Sequence, residues 1–251
     1  MENSILKVEN LNVELDGEKI LENLSFEVRG GEVLTILGPN GAGKTVLLKT
    51  LLGILPYEGE IKWAPGIKIG YVPQRLPFIK DIPMSVEEFF QLKNVSEKEI
   101  NPSTRAELGA GLVPHRNEVS GAGEILKSIG LGKEILKRKI GELSSGQFQR
   151  ILVGWALVSN PRVLLFDEPL AGIDISGQES VYNLLEKLRK EKNFTILLVT
   201  HDLSIVYKFA TNCLCLNKKI LCYSTPKELT TERLSQLYGG KIKFYEHKHA
   251  P

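Results

Sequence analysis

The sequence predicts an α/β fold with a mostly parallel core sheet, an N-terminal antiparallel β part and an inserted helical lobe. Three observations carry this expectation. The N-terminal stretch alternates apolar and polar side chains, as strands with one covered face do. Gly31–Leu37, VLLFDEP (Val163–Pro169) and FTILLVTHD (Phe194–Asp202) are short runs too apolar to be half exposed, as expected of strands covered on both faces. The first two of these runs are followed by segments with helical spacing.

In order along the chain, ILKVENLNVEL (Ile5–Leu15) and NLSFEV (Asn23–Val28) read as strands separated by Asp16-Gly17 as a turn. Gly31–Leu37 is a buried strand, a glycine-rich loop follows, and Thr45–Leu55 has helical spacing. Ile67–Gln74 is a further strand ending in a proline-containing loop. Ser85-Val-Glu-Glu88 matches a capping box and opens a helix through Phe89, Phe90 and Leu92. From Lys93 to Gly123 apolar density falls while Asn, Ser, Pro and Gly accumulate, as in an insertion within a helical lobe. Gly146–Pro161 gives a helix that stops before Pro161, and Ser176 opens another with Val181, Leu184, Leu185 and Leu188 on one face. CLCLNKKILCY reads as a terminal hairpin turning at Asn217-Lys218. With no repeat and no long linker, residues 1–251 form a single domain with the helical lobe, about 75–160, inside it.

Composition excludes several classes. A net charge of +2 from 32 basic and 30 acidic residues implies no basic stripe, so nucleic acid is not an expected partner. The N-terminus lacks the charged start and apolar stretch of a secretory signal. The longest nearly apolar run, Ile151–Val158, is far short of the roughly 18 residues a membrane span needs. A soluble chain follows, whose membrane role comes through a partner. Cys213, Cys215 and Cys222 form no disulfide framework and suggest a reducing compartment. A two-residue hairpin would set Cys213 opposite Cys222, with Cys215 on the same face, as small apolar packing residues. His247 and His249 read as a polar tail rather than a metal site.

Gly38-Pro39-Asn40-Gly41-Ala42-Gly43-Lys44-Thr45 fits the phosphate-loop pattern G-x-x-x-x-G-K-[ST]. Its glycines let successive N–H groups curl around an anion, and the helix N-terminus adds its dipole. Lys44 is expected to reach the β- and γ-phosphates of ATP, and the Thr45 hydroxyl to coordinate Mg²⁺. VLLFDEP delivers Asp167 to the C-terminal end of an apolar strand, where parallel sheets place ligands. Asp167 would hold Mg²⁺ largely through water, and Glu168 would polarise the attacking water as general base. Alone, the acidic pair is equally a solvated strand-end turn; beside a phosphate loop it is half of a site. Leu143-Ser144-Ser145-Gly146-Gln147 is locally only a capped helix start.

Taken together the motifs resemble those of the ABC ATPase family over nearly the whole chain. They stand in the family's order: the phosphate loop, Gln74 in YVPQ, LSSGQ at 143–147, Asp167-Glu168, AGID ending at Asp174, and His201 in VTHD. The resemblance implies an ABC-type nucleotide-binding domain working as a homodimer of ATPase subunits, with two ATPs sandwiched between them. Ser144 and Gly146, with Gln147 beside them, would meet the γ-phosphate held by the opposite subunit. Gln74 would touch Mg²⁺ or the water and sense the transmembrane partner, His201 would contact the γ-phosphate, and Asp174 would link the two sites. Two departures stand out: Ser145 replaces the usual first glycine of the signature, and Leu15 takes the place of the aromatic that stacks on adenine.

A chain with no fused membrane span is similar to importer subunits, and IKIGYVPQR, DIPMSVEEFF and LCLNKKILCYSTPKEL are similar to the zinc/manganese uptake group. That resemblance implies a peripheral subunit on the cytoplasmic face of the cell membrane. It implies a multi-span permease as partner and an extracytoplasmic metal-binding protein indirectly. The alternative is a soluble ABC ATPase without a permease, such as an iron–sulfur assembly subunit.

Overall fold

The computed structural model describes residues 4–74, 83–99, 122–169 and 175–240. Strands β1 (Ser4–Leu15) and β2 (Glu18–Arg29) form a hairpin whose turn residues, Asp16 and Gly17, take φ of 52° and 80°. Positive φ at both central residues is what a tight hairpin turn needs. After β3 (Val33–Leu37) and α1 (Lys44–Leu51) comes β4 (Glu58–Trp63), which pairs with the other edge of β1. The three make an antiparallel sheet in the order β2-β1-β4. β4 was not anticipated, although Ile61 and Trp63 alternate with Glu60 and Lys62 as a half-covered strand should.

The second sheet has six strands. It runs β5-β6-β7-β3-β8-β9, from β5 (Ile69–Val72), β6 (Val163–Asp167), β7 (Thr195–Val199), β8 (Asn212–Asn217) and β9 (Lys219–Ser224). All neighbours are parallel except the final β8–β9 pair. Alternate residues of β6 serve two cores. Val163 and Leu165 pack with Leu47, Leu48 and Leu51 of α1 and with the three-stranded sheet. Leu164 and Phe166 face a second core made by the helices α2 (Val86–Glu99), α3 (Ala122–Ser128), α4 (Ser145–Leu157) and α5 (Ile175–Lys192). Phe90, Leu126, Ile151 and Val181 each bring one of these helices into that core. A strand covered on both faces has no polar face, which is why VLLF reads as a continuous apolar run.

The Ser85 capping box is present: the Ser85 amide donates to Glu88 Oε2 at 2.7 Å and the Glu88 amide to Ser85 Oγ at 3.2 Å. The Ser85 amide and the Ser85 hydroxyl, which also donates to Glu88 Oε2 at 2.7 Å, hold the Glu88 carboxyl below its ordinary pKa. The expected insertion falls largely on residues 100–121, outside the described residues. α1 is shorter than its spacing suggested, because Gly53 takes φ 70° and its amide turns back to Thr50 O at 2.9 Å. At 8 residues, α1 is below the roughly 12–15 at which a helix holds alone in water, so burial of its leucines keeps it formed.

The terminal hairpin corrects two expectations. Lys218 alone makes the turn, at φ 57°, and a bulge follows Cys215, so Cys222 lies opposite Cys215 and Cys213 opposite Ser224. With Cα atoms 4.8 Å apart, Cys215 and Cys222 form a disulfide, while Cys213 stays free and buried. The expectation of three reduced packing cysteines therefore holds only for Cys213. Helices α6 (Leu203–Phe209) and α7 (Thr231–Tyr238) close a third, smaller core with Leu37, Cys213 and Cys215.

Candidate active site

The phosphate loop leaves the C-terminal end of β3, which, like β6 and β7, is flanked on both sides by parallel neighbours. Two of its glycines are dictated by space. A side chain at Gly43, where φ is 91°, would meet Leu21 Cδ2 at 2.6 Å, and one at Gly38 would strike the Leu216 carbonyl. Pro39 and Ala42 are tied by an amide-to-carbonyl bond of 3.2 Å, and Asn40 and Gly41 form the exposed tip. The β8–β9 turn braces the loop from behind, with the Lys218 amide donating to Ala42 O at 3.2 Å. Gly43 caps α1 without any side-chain bond, and no acidic residue lies in the first turn. The helix N-terminus therefore keeps its donors for an anion.

Lys44 folds back over the loop, donating to Gly38 O at 2.9 Å and Pro39 O at 3.0 Å. Burial lowers its pKa, while Glu168 and Asp167 act to raise it. An ammonium group held this way is a charge placed for a multiply charged anion. Its nearest carboxylate oxygen, Glu168 Oε1, is 3.9 Å away.

Asp167 and Glu168 end β6. Consecutive strand residues point to opposite faces, yet both carboxylates turn toward the loop. The reason is the backbone at Glu168, where φ is 45°, a left-handed conformation rare outside glycine and concentrated at functional sites. The Glu168 amide is held in this bend by Val199 O of β7 at 3.1 Å.

Asp167 Oδ1 accepts from Thr45 Oγ1 at 3.0 Å, and Tyr71 OH stands 3.5 Å from Oδ2. Burial raises the Asp167 pKa, opposed by the Thr45 bond, and Asp167 is only 2% exposed. Burial together with the Asp167 charge and hydrogen bond pushes the Tyr71 phenol up to about 12. A buried carboxylate beside a hydroxyl, with no lysine or arginine in ion-pair contact among the described residues, is a donor set of hard oxygens. It fits Mg²⁺, which takes one or two carboxylates and keeps several waters.

Glu168 Oε2 accepts from Gln74 Nε2 at 3.0 Å, with Gln74 standing just beyond β5. His201, following β7, brings Nδ1 to 3.8 Å from the same oxygen while its side chain stays 70% exposed. Four strand ends thus deliver Lys44, Thr45, Gln74, Asp167, Glu168 and His201 to one edge of the parallel sheet. Ser144, Gly146 and Gln147 are not drawn into this group. Ser144 caps α4, accepting from the Gln147 amide at 3.2 Å, while the Ser144 amide donates to Gln147 Oε1 at 3.1 Å. No hydrogen bond or ion pair among the described residues joins them to the phosphate loop. Asp174, His247 and His249 lie outside the described residues. Tyr71 was missed by sequence reasoning, because a tyrosine within IGYV carries no sign of the hydroxyl's partner.

Leu15, at the end of β1, packs against the core and offers only apolar contact. Next to it a cavity of about 270 Å³ opens, lined by Val13, Lys19, Tyr57 and Leu21, the last of which also backs Gly43.

A phosphate loop braced by parallel strands, with an acidic pair at its edge, defines a nucleotide-hydrolysing P-loop domain. Residues 21–171 match the ABC transporter family model, and the chain belongs to that family as an ABC-type ATPase. It is 34% identical to the zinc import ATP-binding protein ZnuC of Magnetococcus marinus, over 98% of this chain and 88% of that protein. It is 33% identical to ZnuC of Yersinia pseudotuberculosis, over 98% and 90%. Among solved structures it resembles an inward-facing transporter described as of the metal-chelate type, with TM-score 0.78 and 29% identity over 94% of this chain and 89% of that one. It also resembles cbiO1 of Clostridium perfringens, part of the transporter complex cbiONQ, with TM-score 0.73 and 30% identity over 91% of each chain. No helix among the described residues is long and apolar enough to cross a membrane.

Proposed function

We propose that this chain is the ATP-hydrolysing motor of a membrane importer for a metal ion, zinc or manganese. Near full-length similarity to relatives named for zinc import is the observation that carries the cargo class. Two copies stand head to tail, each holding Mg-ATP on its own phosphate loop and closing its Ser144–Gln147 segment over the partner's nucleotide. Lys44 meets the β- and γ-phosphates, while Thr45, Asp167 and Gln74 hold Mg²⁺. Glu168 takes the proton of the attacking water, and His201 contacts the γ-phosphate. The helical lobe, about 75–160, faces a multi-span permease from the cytoplasmic side, and an extracytoplasmic metal-binding protein feeds that permease.

A strain lacking this chain should fail to grow when zinc or manganese is chelated. Added metal or the parental gene should restore growth, and the Glu168→Gln form should not. Normal growth of the deletion strain under both limitations would overturn the cargo while leaving the ATPase intact. Purification from membranes should bring down a hydrophobic permease. Recovery with soluble scaffold proteins instead would favour an assembly ATPase.

A further inference from the structure

We propose that Cys215 and Cys222 form a reversible thiol–disulfide modification site, exchanged by a small thiol, that sets how tightly the phosphate loop holds nucleotide. The inference rests on that loop binding ATP, as proposed above. Its basis is the place of the pair in the fold. Cys215 and Cys222 stand opposite each other on β8 and β9 and are joined, 7 positions apart in sequence. A cross-link closing so short a loop removes less chain entropy than one closing a long loop. Its weight falls on the hairpin it closes.

That hairpin supports the nucleotide site. In the parallel pairing of β3 with β8, Cys215 lies beside Leu37, the residue immediately before Gly38. Leu216, next along β8, sets its carbonyl against Gly38, close enough to exclude a side chain there. At the tip, the Lys218 amide donates to Ala42 O at 3.2 Å, and Lys218 O accepts from the Glu22 amide at 2.8 Å. Lys219 Nζ adds an ion pair to Glu22 Oε2 at 3.2 Å. The phosphate loop thus leans on residues 216–218, and the disulfide ties together the strands on either side of them. Between the cross-link and the tip, the bulge after Cys215 interrupts the pairing, and β9 is the edge strand of its sheet. With the sulfurs apart, an interrupted ladder alone holds β9, and the tip frays from Ala42.

The two sulfurs differ in access. Cys215 is 1% exposed, while Cys222 is half-buried between the exposed Leu221 and Tyr223. A small thiolate therefore attacks Cys222 Sγ; the S–S bond breaks, and Cys215 leaves as a thiolate that takes up a proton. A second small thiol then displaces Cys222 as a thiol and departs in the small disulfide. Two protons and two electrons pass to the protein, and oxidation by the small disulfide is the same route reversed. Cys213 stays out of the exchange. It lies opposite Ser224, its Sγ accepts from Thr35 Oγ1 at 3.3 Å, and burial pushes its pKa up to about 11. The thiolate that exchange needs does not form there.

The test equilibrates the full purified chain, still native, in glutathione or in glutathione disulfide. Free thiols are counted after quenching and denaturation, and ATP affinity and thermal melting are measured in each state. The count should be one thiol per chain when oxidised and three when reduced. Reduction should weaken ATP affinity roughly 2–10-fold, the weight of the one hydrogen bond between Lys218 and Ala42. The reduced chain should still melt cooperatively. Cys222→Ser should show the weaker affinity in both buffers, and Cys213→Ala should respond as the parent does. A thiol count that stays the same in both buffers would overturn the inference. So would equal ATP affinity in the two states, or a reduced chain without a cooperative transition, since the bond would then be a structural staple. A parent that binds no ATP in either state would overturn the assignment of the phosphate loop, and this inference with it.

Discussion

Two helix starts in this chain, those of α1 and α4, offer backbone donors to an anion, and they are built in opposite ways. α1 begins with a glycine cap that forms no side-chain bond, and its Lys44 and the facing Asp167 are buried. Its surroundings come from distant parts of the chain, with Asp167 separated from Thr45 by 122 positions. α4 begins exposed, and a capping box formed within four residues satisfies it locally. The first site is finished by folding. The second is finished only as a helix, and its donors are partly occupied by its own Ser144 and Gln147. In the head-to-tail pairing proposed above, one chain assembles half of a nucleotide sandwich and a second copy supplies the complementary half.

The comparison can be broken most sharply at Glu168. Glu168→Gln should slow hydrolysis by roughly 10²–10⁴-fold, or about 3–5 kcal/mol of barrier, while ATP still binds. A parental rate would show that the preassembled half does not contain the base. With cleavage stopped, size-exclusion in Mg-ATP should show a dimer. Ser144→Arg on that background should disperse it, because the bulk and charge fall on the half that only the partner completes. An undisturbed dimer would remove α4 from the interface.

A smaller effect is expected beside Leu15. Stacking on an aromatic face is worth ~1–3 kcal/mol in nucleic-acid binders and depends little on the base. Without it, ATP should be only weakly preferred over GTP, and Leu15→Tyr should tighten ATP by up to ~10-fold. A strong native preference for ATP with no gain from tyrosine would point to another aromatic.

The smallest effect tests the strain in the finished half. Burial raises the pKa of Asp167 in the folded state above its unfolded value, so the folded chain holds that proton more tightly. Stability is then fully present below the unfolded pKa and is lost as pH rises through the folded one. Above that window, without Mg²⁺, Asp167→Asn should raise the thermal midpoint by ~2–4 °C per kcal/mol recovered and should flatten the pH dependence. Melting the parent and the variant across the carboxylate range checks both. An unchanged or lowered midpoint would mean that the Thr45 bond outweighs burial.

Much of the site was legible because its chemistry is written in short contiguous words. The phosphate loop, Asp167-Glu168, Gln74 and His201 each follow a strand whose apolar run is visible in sequence, and a parallel sheet places its strand ends on one edge. The Ser85 box was equally legible, since its partners are three residues apart. β4 and α7 carried signals that were passed over, namely the Ile61 and Trp63 alternation and the Thr230 and Gly239 caps. Other features had no local sign. The left-handed turn that brings Glu168 beside Asp167, the reach of Tyr71 to Asp167, and the register that puts Cys215 opposite Cys222 depend on bulges and neighbours far away in the chain. Sequence by itself determined which residues carry the donors and charges that a phosphate, a cation and a water call for, because residue type and local spacing decide donors and charge. Only the tertiary structure decided which of them stand together at one end of the sheet, because pairing register and burial on both faces of the sheet are set by the whole fold.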